Sequence, residues 1–271
     1  MTDALARIGV MNDEAIELDV AALELSALDH PGTDLGAYLS LFDDIAAALV
    51  SEGPNAQTGE AQATALQTVF YERFQFTGDR DAYDAVINAD MIRVMDRRRG
   101  LPVSLSILYV AQARRMGWSA YPIDLPGHVL VRVGPSNDTL LLDPFHDGRR
   151  FAVEQLAAMI GKIVASGHEP PNIAPMSNRA VLMRLVMNQA SRAEQDGDLE
   201  RAIICIERMI QLGPLFPHPR WELVRLQLRA GLFDGARATL LALLGLNPTN
   251  EARERIMTAL AGLRRTSSDD N

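Results

Sequence analysis

The sequence predicts an α+β domain with a helical N-terminal part and a small antiparallel sheet, followed by an all-α segment. Three observations carry this. Apolar residues recur at helical spacing from about Glu14 to Gly100. Three short strand-like runs, "WSAYPID", "HVLVRV" and "TLLLDP", crowd the middle of the chain. Beyond Asn178 the residues repeat with a period of 34. The first domain is expected over roughly residues 8–165 and the repeat segment over roughly residues 178–265.

Of the 271 residues, 48% are hydrophobic, enough to bury sizeable cores and to exclude a disordered chain. The net charge of -9 argues against nucleic acid as a partner, because gripping a phosphate backbone requires a basic surface that releases counterions. Runs such as Arg97 to Arg99, or Arg149 and Arg150, read as solvated faces. The N-terminus has acids where a signal peptide would carry cations, and no apolar run is long enough to cross a bilayer. No membrane partner is expected, and a cytoplasmic location is. The single cysteine, Cys205, agrees with that and reads as a small core residue.

Taken in order, "DEAIELDVAALELSALDH" reads as a helix broken at Pro31 and Gly32. "TDLGAYLSLFDDIAAALVSEG" follows, with Thr33 or Asp34 as its N-cap and Gly53 as its end. "GEAQATALQTVFYERFQF" is the third helix, "TGDRDAY" a polar turn, and "NADMIRVMDRRRG" the fourth helix. The helix from Pro102 to Met116 is apolar around most of its circumference, so it should be central and buried. "AVEQLAAMIGKIVASG" closes the domain, and "SGHEPPNIAPMSN" reads as a linker. In the repeat, Gly197 matches Gly231, Ala202 matches Ala236, Leu212 matches Leu246 and Pro214 matches Pro248. This is the tetratricopeptide period, in which small residues permit close helix packing and proline ends each pair. "EARERIMTALAGLRR" reads as a capping helix and "TSSDDN" as a disordered tail.

The candidate site comes from the hairpin. A four-residue loop, Gly134 to Asn137, with Val133 paired to Asp138, would set His128 directly opposite Asp143. A carboxylate there fixes the tautomer and orientation of the imidazole, as general-base chemistry requires. Val129, Val131, Val133, Leu140 and Leu142 then share the other, apolar face. A side chain in the first turn of the helix after Gly100-Leu101-Pro102 lies in the positive field of the helix terminus, where an anion is favoured. The chain offers Ser104 there, with Ser106 second. Trp118, Trp221 and Tyr109 read as core residues, and His146 as a loop residue. His128, Asp143, His146 and Asp147 have metal-ligand chemistry, but nothing in their spacing demands an ion, so no metal and no cofactor are expected.

The segments "DRRRGLPVSLSILYVAQARRMG", "PGHVLVRV" and "LLDPF" resemble the transglutaminase-like domain of the bacterial SirB-type proteins, relatives of transglutaminases and papain-like peptidases. "LQTVFYERFQFTGDRDAYD" and the C-terminal repeat are similar to that family as well, so the likeness spans nearly the whole chain. It implies an α+β, papain-like domain. Active transglutaminase-like enzymes carry Cys, His and Asp in that order, with the Cys at a helix start. By resemblance His128 and Asp143 take the second and third roles, while the Cys position falls near Pro102 to Ser104, where this chain has none. The expectation is a non-catalytic or catalytically altered domain that binds a protein or peptide partner. The alternative is a Ser104–His128–Asp143 hydrolase of amide or ester bonds.

Overall fold

The computed structural model describes residues 2–167, 169 and 173–266. The chain divides into two compact units, one of Met11–Leu185 and one that joins Thr2–Val10 to the residues from Val186 onward. The first helix, α1 (Thr2–Val10), belongs to the second unit.

The first unit begins with a 3-10 turn at Asp13–Ala15, then α2 (Leu18–Ala27), α3 (Gly36–Glu52) and α4 (Gly59–Gln67). The expected first helix is thus cut short: only Leu18 onward is α-helical. The predicted cap of α3 is also partial. Asp34 accepts from the Gly36 amide at 2.9 Å, although Leu35 occupies the cap position, and Gly53 ends the helix as expected. After α4 the backbone widens into a π-helical turn at Thr68–Arg73. Two short strands, β1 (Thr77–Gly78) and β2 (Arg99–Gly100), pair in parallel and flank a 3-10 turn at Val86–Ala89 and α5 (Met91–Arg97). The polar turn read at "TGDRDAY" therefore contains a strand.

Helix α6 (Pro102–Arg115) starts with a proline, whose absent N–H is one that no helix start can satisfy internally. Every residue from Pro102 to Ala113 is buried, as the all-round apolar pattern predicts. Three of its buried polar side chains donate to partners: Ser104 to the Asn88 carbonyl at 2.6 Å, Ser106 to the Val129 carbonyl at 3.2 Å, and Gln112 to Asp19 at 3.0 Å.

Four antiparallel strands follow in spatial order β3 (Ala120–Leu125), β4 (His128–Val133), β5 (Leu140–Asp143) and β6 (Arg149–Arg150). Helix α6 packs on β3 and β4. Helix α7 (Val153–Ala165) places Leu156 in a second cluster with Ile123, Leu125 and Leu130. Helix α8 (Asn178–Gln195) is anchored at its start, where the amides of Asn178 and Arg179 both donate to the Asp13 carboxylate. Part of the predicted linker lies outside the described residues.

In the second unit, α9 (Leu199–Leu212), α10 (His218–Arg229), α11 (Phe233–Leu244) and α12 (Asn250–Thr266) pack in sequence, and α1 lies against α9. The 34-residue period recurs in the backbone. Gly197 and Gly231 both have positive φ, at 82° and 72°. The Asp198 amide donates to the Ala193 carbonyl at 2.8 Å, and the Leu232 amide to the Gln227 carbonyl at 2.8 Å. Ala202 and Ala236 are fully buried, and Cys205 is buried in α9. The tail read as disordered lies, after Thr266, outside the described residues. No helix among the described residues is long and apolar enough to cross a membrane.

Candidate functional site

The site is assembled at one end of the four-stranded sheet. Pro126 and Gly127, the latter at φ 73°, form a two-residue turn that pairs Leu125 with His128 and makes the imidazole the first side chain of β4. Strand β5 ends at Asp143, because Pro144 lacks the N–H to continue a ladder and starts a 3-10 turn at Pro144–His146.

The register differs from expectation by two residues. Val133 pairs with Leu140, not Asp138, and Val131 with Leu142. The physical reason is Asp138, whose carboxylate accepts from the Gly59 amide at 2.9 Å and so binds the start of α4 instead of joining the ladder. Backbones meet closely there: a Cβ on Gly59 would lie 2.2 Å from the Asp138 carbonyl oxygen. A slip of two preserves the faces of a strand, whereas a slip of one would have separated the pair. His128 is therefore diagonal to Asp143 rather than opposite, and its Nε2 still reaches Oδ1 at 2.9 Å.

His146 is the third member. Its Nδ1 lies 2.7 Å from Asp143 Oδ2, and its backbone amide donates to Oδ1 at 3.2 Å. The reading of His146 as a mere loop residue is corrected: Asp143 caps the 3-10 turn, and that cap swings the imidazole onto the same carboxylate. An acid three residues before a histidine across a proline, D-P-F-H, was the signal available in the sequence. Asp143 is 1% exposed at its side chain, against 15% for His128 and 35% for His146. Burial pushes the Asp143 carboxyl up, but the hydrogen bonds and charges of His128 and then His146 outweigh it and hold it below the ordinary carboxylate value. An ionised Asp143 thus holds two imidazoles, with Phe145 edge-on to both.

Ser104 is placed otherwise. Its hydroxyl is fully buried and donates to the carbonyl of Asn88, and Ser106 is equally buried. The thiol-free helix start offers no exposed hydroxyl from either serine.

Beneath Ser104 lies a network that sequence reasoning missed. Arg97 bonds to the buried Asp79 and to the Asn88 side-chain oxygen at 2.8 Å, and the Asn88 amide group donates to the Ala82 carbonyl at 2.6 Å. Arg97 and Arg98 are therefore partly buried rather than on a solvated face, whereas Arg99 is exposed. Arg98 stacks its guanidinium over Phe76 at 4.8 Å, and Arg99 pairs with Asp81. Arg150 bonds to Glu60. Asp147 is occupied by Thr77 at 2.6 Å and Arg80 at 2.8 Å, which removes it from the cluster of His128, Asp143 and His146. Tyr109 is buried as expected, stacked on Phe70 at 4.2 Å, but its hydroxyl has no partner. Burial, with the charges of Asp147 and Asp143, pushes that phenol far up.

Fold and site together define an α+β domain carrying an imidazole–carboxylate pair on adjacent strands beside a buried helix. Residues 36–187 match the transglutaminase-like superfamily, and the chain belongs to it. It is 26% identical to the UPF0162 protein of Xylella fastidiosa (strain 9a5c), over 94% of this chain and 93% of that one. It is similar also to the UPF0162 protein of Vibrio cholerae, 32% identical over 49% of this chain and 50% of that protein. F-box only protein 21 of Mus musculus is 31% identical across 49% of this chain, in a match covering 22% of that protein.

Proposed function

We propose that the chain is a catalytically altered transglutaminase-like protein of the SirB type, whose domain groove and tetratricopeptide-like segment bind a protein or peptide in the cytoplasm. The observation that carries this reading is the His128–Asp143 pair kept at 2.9 Å next to a helix start whose serine hydroxyl is buried and committed to Asn88. Acyl transfer needs a nucleophile that both a base and a substrate can reach, and a serine depends on that base wholly. The half-exposed Tyr83, packed edge-on against Phe145 at 5.5 Å, supplies aromatic surface of the kind that anchors peptides. The 34-residue period, with left-handed Gly197 and Gly231 at matching helix ends, supports the tetratricopeptide reading, and such repeats characteristically present protein-binding surfaces.

A fluorophosphonate probe tests the reading. No labelling of Ser104 is expected; labelling lost in both Ser104→Ala and His128→Ala variants would establish the hydrolase instead. In parallel, proteins co-purifying with the wild type are compared by mass with those retained by a Tyr83→Ala, His128→Ala variant. A specific partner lost in the variant is expected, and an unchanged partner set would sink the groove as the binding surface.

A further inference from the structure

We propose that His128, Asp143 and His146 bind a divalent transition-metal ion of the zinc or cobalt type. The inference goes beyond peptide binding and does not rest on it, because ion uptake is read on the isolated chain.

Two imidazoles and one carboxylate are a ligand set suited to such ions, leaving positions open for water. One ligand atom from each of the three residues lies within 4.8 Å of the others. Ligand atoms around a tetrahedral ion with bonds of about 2.0–2.2 Å stand about 3.4 Å apart, so modest rotation of the imidazoles closes the set. Asp143 already meets each ring at short range, His128 through Oδ1 at 2.9 Å and His146 through Oδ2 at 2.7 Å.

Preorganisation points the same way. Asp143 is already desolvated, with its side chain 1% exposed, so an incoming cation finds a carboxylate whose burial has been established by folding. The His146 amide fixes that carboxylate from behind. Both histidines sit on rigid turns, one after Pro126-Gly127 and one after Pro144. Asp147, which would crowd the set, is held away by Thr77 and Arg80. His146 remains a third exposed and leaves the ion a path from solvent. An ion would take the place of the hydrogens that bridge each ring to the carboxylate.

The test strips the full-length protein with chelator, offers Zn2+ or Co2+, removes free ion by gel filtration and measures metal per chain. One ion per chain is expected, with ligand-field absorption for Co2+. The affinity should fall at least about 10-fold in His146→Gln and in His128→Gln. His146→Gln changes a partly exposed side chain and is the variant to read if His128→Gln unfolds; a thermal melt checks both. A wild type that retains neither ion overturns the proposal. So does retention unchanged in the folded variants, which would put the ion elsewhere.

Discussion

One carboxylate holds two imidazoles: Asp143 faces His128 Nε2 at 2.9 Å through Oδ1 and His146 Nδ1 at 2.7 Å through Oδ2. The carboxyl is buried yet titrates below its ordinary 3.8, because the two histidines outweigh desolvation. A depressed folded pKa stabilises the native state above the unfolded value and loses that contribution as pH falls through the folded one. Stability should therefore drop as acid carries the protein below about pH 3.8. Asp79 contributes in the same window: burial raises its pKa, but Arg97 and its other partners lower it more. Asp143→Asn should flatten part of the acid slope and leave the Asp79 part. Urea unfolding at stepped pH checks this, and an unchanged slope would show that the acid is not ionised in the native state.

Ser104 is predicted to behave as a core residue. Ser104→Ala removes one buried hydrogen bond, while the Asn88 carbonyl keeps its second donor, the Leu101 amide at 3.2 Å. A loss of about 1 kcal/mol in urea unfolding is expected. Ser104→Cys should place a buried thiol in the first turn of α6 without making it reactive. Cys205 is buried as well, so native protein should resist iodoacetamide and the denatured variant should take two labels. Rapid native labelling of Ser104→Cys would mean that the helix start opens to solvent.

The His128–Asp143 pairing was legible because alternation along a strand fixes faces, and faces survived the two-residue register shift. The register itself was not, since it depends on Asp138 meeting the start of α4, a contact across 79 residues of chain. His146 was hidden for a related reason: its role depends on a cap geometry that a histidine after a proline does not announce alone. The all-round burial of α6 followed from composition. The destinations of Arg97, Arg98 and Arg99 did not, because each finds a different partner, and a charge run looks the same whether its charges are solvated or shared out. In the repeat the glycine spacing carried the helix ends directly into backbone angles.

Tyr109 and Gly148 should be coupled. Gly148 has φ 67°, and a Cβ there would lie 2.6 Å from the Tyr109 hydroxyl oxygen. Gly148→Ala should cost about 1–2 kcal/mol from the left-handed backbone alone, with the clash on top. Tyr109→Phe removes a buried hydroxyl that has no partner, so it should be near neutral or stabilising. In the Tyr109→Phe background, Gly148→Ala should cost measurably less than in the wild type. A double-mutant cycle by thermal unfolding reads the difference, and strict additivity would refute the contact.

The repeat makes a matched prediction for Gly197 and Gly231. Both are left-handed, at φ 82° and 72°, and a Cβ on either meets nothing within 4 Å. The cost of alanine at each is then conformational only, about 1 kcal/mol and similar at the two sites. Gly134 is the contrast: its φ is 117°, and a Cβ would lie 2.3 Å from the Asp138 carbonyl oxygen, so Gly134→Ala adds a backbone clash to the strain. Calorimetry of the three single variants should rank Gly134→Ala as the most damaging and set the other two together. A large gap between Gly197→Ala and Gly231→Ala would show that the two helix ends, though 34 residues apart and alike in backbone bonding, are not equivalent.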